Sequence, residues 1–92
     1  MVPIQAVVPE LVAGVIRKAP YSAEKLAFAW RMAVGPSVDR VTTIALERGV
    51  LRVRAKDAAW RREVERSAGI IRRRLESLLG PNMVRTLDVT LE

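Results

Sequence analysis

With 92 residues, half of them apolar, the chain has the size and composition of one packed domain and is too short for two. Lys and Arg number 16 against 10 Asp and Glu, a net charge of +6, and there is no Cys or His. That composition excludes gross disorder, disulfides, thiol nucleophiles, zinc sites built from Cys or His, and histidine acid–base chemistry. No apolar run reaches the length of a membrane span, and Met1–Gln5 lacks the basic start and apolar continuation of a signal peptide. A cytoplasmic location is therefore expected, with no membrane partner.

The first predicted element runs from Ile4 to Ala19, broken or begun at Pro9, with Glu10 placed for the helix dipole and Leu11, Val12, Val15 and Ile16 as its apolar stripe. Pro20 closes it. Ser22 is the candidate N-cap of a second helix, on which Leu26, Ala29, Trp30 and Ala33 share one face. Gly35-Pro36 stops that helix, and a short turn restarts from Pro36 to Asp39. Val41–Leu46 alternates and is rich in β-branched residues, so it reads as a strand; Glu47-Arg48-Gly49 is a hairpin loop, and Val50–Lys56 is the return strand. Asp57 caps the longest predicted helix, Ala58–Leu79, whose stripe is Trp60, Val64, Ala68, Ile71, Leu75, Leu78 and Leu79. Gly80-Pro81-Asn82 ends it, and Met83–Leu91 alternates as a third strand. The order α, α, β, β, α, β predicts a two-layer α+β domain, a three-stranded sheet packed on a long amphipathic helix.

Positive charge is carried almost wholly by arginine; Lys18, Lys25 and Lys56 are the only lysines. The guanidinium fork pairs two-pronged with phosphate and stacks on bases, so the bias points first to nucleic acid and second to an acidic protein. A GC-rich coding sequence accounts for the same bias. Two rows stand out. Arg52, Arg54 and Lys56 line one face of the return strand while Leu51, Val53 and Ala55 line the other. Arg62, Arg66 and Arg73 fall together on the long helix, opposite its apolar stripe. Arg61–Glu65 and Arg72–Glu76 have i,i+4 spacing and reduce the free charge on the neighbouring flank. Gly69 lies within the helical row. A mid-helix glycine costs about 1 kcal/mol relative to alanine. Either its bare backbone admits a phosphate or a second helix between the arginines, or it is a tolerated glycine on a solvated face.

Trp30 and Trp60 lie on apolar stripes and read as core. Few aromatics remain, which favours backbone electrostatics over base stacking. Enzyme constellations are missing from the sequence: there is no phosphate-binding glycine loop, paired-carboxylate motif or nucleophile elbow. No catalysis, cofactor, metal or small-molecule substrate is expected.

Trp30-Arg-Met-Ala-Val-Gly35, then Thr42, then Gly49-Val-Leu-Arg-Val53, then Ala59-Trp60-Arg-Arg-Glu63 and Leu78-Leu-Gly80 form an ordered set. It resembles the DciA family of bacterial proteins, formerly a domain of unknown function, over about residues 26–89. The resemblance implies a KH-like fold and a role in loading or operating the replicative DNA helicase, with DNA as a second partner; the basic rows by themselves leave RNA open as an alternative ligand. The matching residues look mainly like fold determinants. The Gly-x-x-Gly loop that clamps nucleotides in true KH domains has no counterpart, because the glycines at 35, 49, 69 and 80 are too far apart. A general RNA- or DNA-binding module and a purely protein-binding domain that docks through Pro9–Lys18 are the alternatives.

Overall fold

The computed structural model describes residues 9–92. The part of the first predicted helix from Ile4 to Val8 lies outside them. Helix α1 (Glu10–Lys18) is followed by α2 (Ala23–Val34), in which the Ser22 side chain accepts from the Lys25 N–H at 3.1 Å, the expected N-cap. Gly35 stops α2 with φ 88° and ψ 162°, a backbone state that only glycine takes easily. The restart at Pro36 is a separate short helix, α3 (Pro36–Arg40).

Strands β1 (Thr42–Glu47) and β2 (Val50–Ala55) pair antiparallel with Glu47 opposite Val50. The loop is therefore only Arg48-Gly49. Both residues have positive φ, 51° and 83°, as a two-residue hairpin twisted like its strands requires. Asp57 Oδ1 accepts from the Trp60 N–H at 2.9 Å and starts α4 (Ala58–Arg66).

The single long helix expected over Ala58–Leu79 is divided. Ser67, at φ −99° and ψ 7°, leaves the helical ladder, and its N–H is shared between the Glu63 and Val64 carbonyls, both at 3.2 Å. Helix α5 (Ala68–Leu79) begins beyond it, with the Ile71 N–H donating to Ser67 O at 2.9 Å. The last strand, β3 (Thr86–Leu91), is shorter than the alternation from Met83 suggested. It lies parallel to β2, Val50 beside Thr86, so the sheet order is β1-β2-β3 and α4–α5 form the crossover that a parallel pair needs.

The fold is thus a mixed α+β domain, with five helices and one three-stranded sheet among the described residues. Leu51, Val53 and Ala55 are wholly buried beneath the helices, and Ile44, Leu46, Leu87 and Val89 flank them. From the helical side come Trp30, Val64, Ile71, Leu75 and Leu78, all at 1 % exposure or less. Trp30 is core, as expected; Trp60 is only partly buried and packs against the edge of the cluster.

Three cations hold helices in place by binding carbonyls. Lys25 Nζ donates to Arg17 O (3.1 Å) and Ala19 O (2.6 Å) at the end of α1. A guanidinium nitrogen of Arg74 donates to Ala33 O near the end of α2 (2.9 Å), and one of Arg17 donates to Ser77 O on α5 (2.8 Å). Cations suit the negative end of a helix dipole.

Candidate nucleic-acid interface

Among the described residues the sheet is covered on one side only. Residues on its open face follow from the registers. Ala45 and Thr43 of β1 stand opposite Arg52 and Arg54 of β2, which in turn stand beside Asp88 and Thr90 of β3. Glu47, Val50 and Thr86 form the row at the hairpin end. Lys56 extends the central column, because its N–H donates to Val41 O at 2.9 Å and keeps the ladder going beyond β2. Arg52, Arg54 and Lys56 are all exposed, and among the described residues none has a carboxylate within ion-pair distance. The expected row on the return strand is therefore a real column of free cations. A shallow depression beside it is lined by Thr43, Ile44, Ala45, Arg52 and Arg54.

The helical row is less coherent than its spacing implied. Arg62 and Arg66 sit two residues either side of the buried Val64, so they point away from the sheet. Arg73 stands in the same relation to Ile71 and Leu75, but on the other side of the Ser67 break. The three arginines do not share one continuous helix. Moreover, Arg66 lies 3.4 Å from the carboxylate of Glu63, a residue only 6 % exposed, so its charge is partly committed. Arg62 and Arg73 remain exposed and unpaired among the described residues. The two expected flank pairs are present, Arg61–Glu65 at 3.6 Å and Arg72–Glu76 at 3.7 Å.

Gly69 is not a mid-helix residue. It occupies the first turn of α5, exposed, and a Cβ built on it meets nothing within 4 Å. Nothing in the fold itself therefore demands glycine there. Gly69→Ala should stabilise the domain by about 0.5–1 kcal/mol through the lower entropy of the unfolded chain, seen as a raised melting temperature. A drop in melting temperature would mean that the backbone of the break needs glycine's freedom.

Arg48 and Arg85 are exposed at the hairpin end of the sheet and were not among the candidate site residues. Arg48 projects from the hairpin with positive φ. Arg85 lies across Gly49: its Nε and Cδ would be 3.1 and 3.3 Å from a Cβ there, and its N–H donates to Gly49 O at 2.7 Å. The only signal for Arg85 was its place just ahead of the last strand. Among the described residues no group of acids is arranged to hold a metal ion, and no helix is long and apolar enough to cross a membrane.

These features define a small basic α+β domain that carries free arginines on its open sheet face and on the outward side of its helices. The chain belongs to the DciA family: the family model described as "Dna[CI] antecedent, DciA" matches residues 3–89. That family is associated with replicative-helicase loading and is generally non-enzymatic, so membership implies a replication-associated role. No curated protein and no solved structure matches the chain significantly. Two residues of the family-like pattern are direct partners in the fold, since the Trp30 indole N–H donates to Thr42 Oγ1 at 3.0 Å.

Proposed function

We propose that the chain is a non-enzymatic accessory domain of DNA replication in the bacterial cytoplasm, which contacts the replicative helicase and binds nucleic acid through exposed arginines. Family membership supports the helicase partner. The observation that carries the nucleic-acid part is the column Arg52, Arg54 and Lys56, which among the described residues is unpaired and stands on a sheet face that no other element covers. Free guanidinium groups in a row are what a phosphate chain requires. Arg62 and Arg73 form a secondary contact surface, with Arg66 weakened by Glu63. Gly69, bare and exposed in the first turn of α5, lets a phosphate approach the backbone there; binding lost in a stable Gly69→Ala variant would report that approach. The helices stacked on one face of the sheet support a KH-like description without its Gly-x-x-Gly clamp. DNA is the first ligand to test and RNA the second.

Size-exclusion chromatography of the chain mixed with its cognate replicative helicase, at modest salt and with or without single-stranded DNA, tests this reading. Co-elution is the expected result. Separate elution under both conditions would sink the helicase role and leave a general RNA- or DNA-binding module. A purely protein-binding reading draws on one observation: α1 leaves Leu11 82 % and Val15 67 % exposed on a helix that is otherwise docked. Co-elution that is abolished by Leu11→Ser, with no binding to nucleic acid, would favour it.

A further inference from the structure

We propose that a single extended strand of nucleic acid runs along β1, on one side only of the arginine column, with Thr43 and Ala45 as its floor. This rests on the reading of the open sheet face as the nucleic-acid surface and adds which half of that face carries the strand.

The two flanks of the column differ in shape and charge. On the β1 side, the cross-strand neighbours of Arg54 and Arg52 are Thr43 and Ala45, short side chains that leave the depression beside the two guanidinium groups. On the β3 side the neighbours are Thr90 and Asp88, and Glu92 follows on the same alternation, tied to the ladder by its N–H to Ala55 O at 2.9 Å. Asp88, beside Arg52 in the parallel pair but in no ion pair among the described residues, and Glu92 place negative charge on this flank where an approaching polyanion would meet it. The β1 side thus attracts a phosphate chain and the β3 side repels it. Glu47, opposite Val50, sets the end of the trough at the hairpin.

Spacing fits one strand. Alternate residues on a β-strand are about 6.7 Å apart, so Arg52, Arg54 and Lys56 present cations at a step suited to successive phosphates of a stretched chain. Neighbouring strands lie only about 4.8 Å apart, which makes the floor one chain wide. A duplex is wider than the whole three-stranded sheet, so it cannot sit on the β1 half alone and would overlie Asp88 and Glu92 as well. No aromatic side chain lies on the floor, so bases gain no stacking platform and binding should be indifferent to sequence.

The test is fluorescence anisotropy with the whole chain. The probes are a labelled oligodeoxythymidylate, its oligouridylate counterpart and a hairpin duplex, with polyglutamate as competitor. Ala45→Glu and Thr90→Glu add the same charge on opposite flanks of the column. Each new carboxylate faces an arginine across a strand pair, an arrangement that stabilises sheets. Ala45→Glu should weaken single-strand binding about tenfold and Thr90→Glu less than about twofold, as loss of specific phosphate contacts demands. Thr43→Glu, the second variant on the β1 side, should behave like Ala45→Glu. Equal losses from Thr90→Glu and Ala45→Glu would overturn the one-sided track while leaving the surface intact. If Arg52→Glu with Arg54→Glu leaves binding unchanged, the surface itself is wrong and the track falls with it. Duplex bound as tightly as single strand would overturn the one-chain fit, and polyglutamate competing as well as oligonucleotide would replace nucleic acid by an acidic protein. Binding of oligouridylate equal to oligodeoxythymidylate is expected, because no contact on the floor reads the 2′-hydroxyl; a strong preference for either would overturn a track held by phosphates alone.

Discussion

Trp30→Ala should cost about 3–5 kcal/mol of unfolding free energy and leave little of the roughly 5–15 kcal/mol that a small domain holds. Trp30 is 1 % exposed and stands among Leu26, Ala33 and the residues of α5 in the one core cluster. Its loss removes the largest buried side chain and opens a cavity that neighbouring helices cannot fully collapse. The indole is also half of a relay. Its N–H donates to Thr42 Oγ1 at 3.0 Å, and that hydroxyl donates to Val38 O at 2.8 Å, joining α2, α3 and β1. Thr42→Val keeps the shape but leaves the indole N–H without a partner, while Val38 O still accepts from the Val41 N–H at 3.1 Å, a loss of about 1–3 kcal/mol. Thr42→Ser should recover most of it. Urea denaturation of the three variants measures the order. A neutral Thr42→Val beside a costly Thr42→Ser would show that the methyl group, not the hydroxyl, matters at this junction.

Charge reversal on the two basic surfaces should have unequal effects. Arg52→Glu with Arg54→Glu is expected to weaken single-stranded DNA binding more than tenfold and to reduce the salt slope by about 1 per contact removed. Arg62→Glu with Arg73→Glu carries the same charge change on the outward side of the helices and should lower affinity only a few-fold, since neighbouring Arg66 and Arg72 are already paired. Titrations at two salt concentrations separate the alternatives. A larger loss from the helical pair would move the interface to α4 and α5, and equal losses would indicate that net charge alone governs binding.

The parts of this architecture that are local were legible in the sequence. Ser22 and Asp57 are caps because a short polar side chain ahead of an apolar stripe can reach the orphan N–H groups of the first turn. The hairpin follows from Gly49 between two alternating runs, and the alternation alone separated Arg52 and Arg54 from Leu51 and Val53. The Ser67 break was not legible. Neither proline nor a helix-stopping glycine marks it, and Val64, Ile71 and Leu75 continue to face the core across it, so the apolar period runs on. The helical arginine row inherited that error, because angular arithmetic fails once the ladder is interrupted. The carbonyl contacts of Arg17, Lys25 and Arg74 are tertiary, and nothing in sequence spacing distinguishes these cations from those left free for a ligand. Pairing of Arg66 with the buried Glu63 also depends on how deeply α4 sinks onto the sheet.

The parallel alignment of β2 with β3 bears on the order in which the chain becomes structured. The β1–β2 hairpin can close by itself on a microsecond scale, because its two strands are joined by two residues. Strand β3 finds its place only after α4 and α5 have crossed the sheet, so the loop-closure entropy of the whole crossover falls on this last step. Until then β2, which carries Arg52 and Arg54, is an edge with unsatisfied amides. During synthesis the chain would pass through a stage in which the helices and hairpin have emerged and the final strand has not, and the lower rim of the core, Val84, Leu87 and Val89, is the last to be sealed.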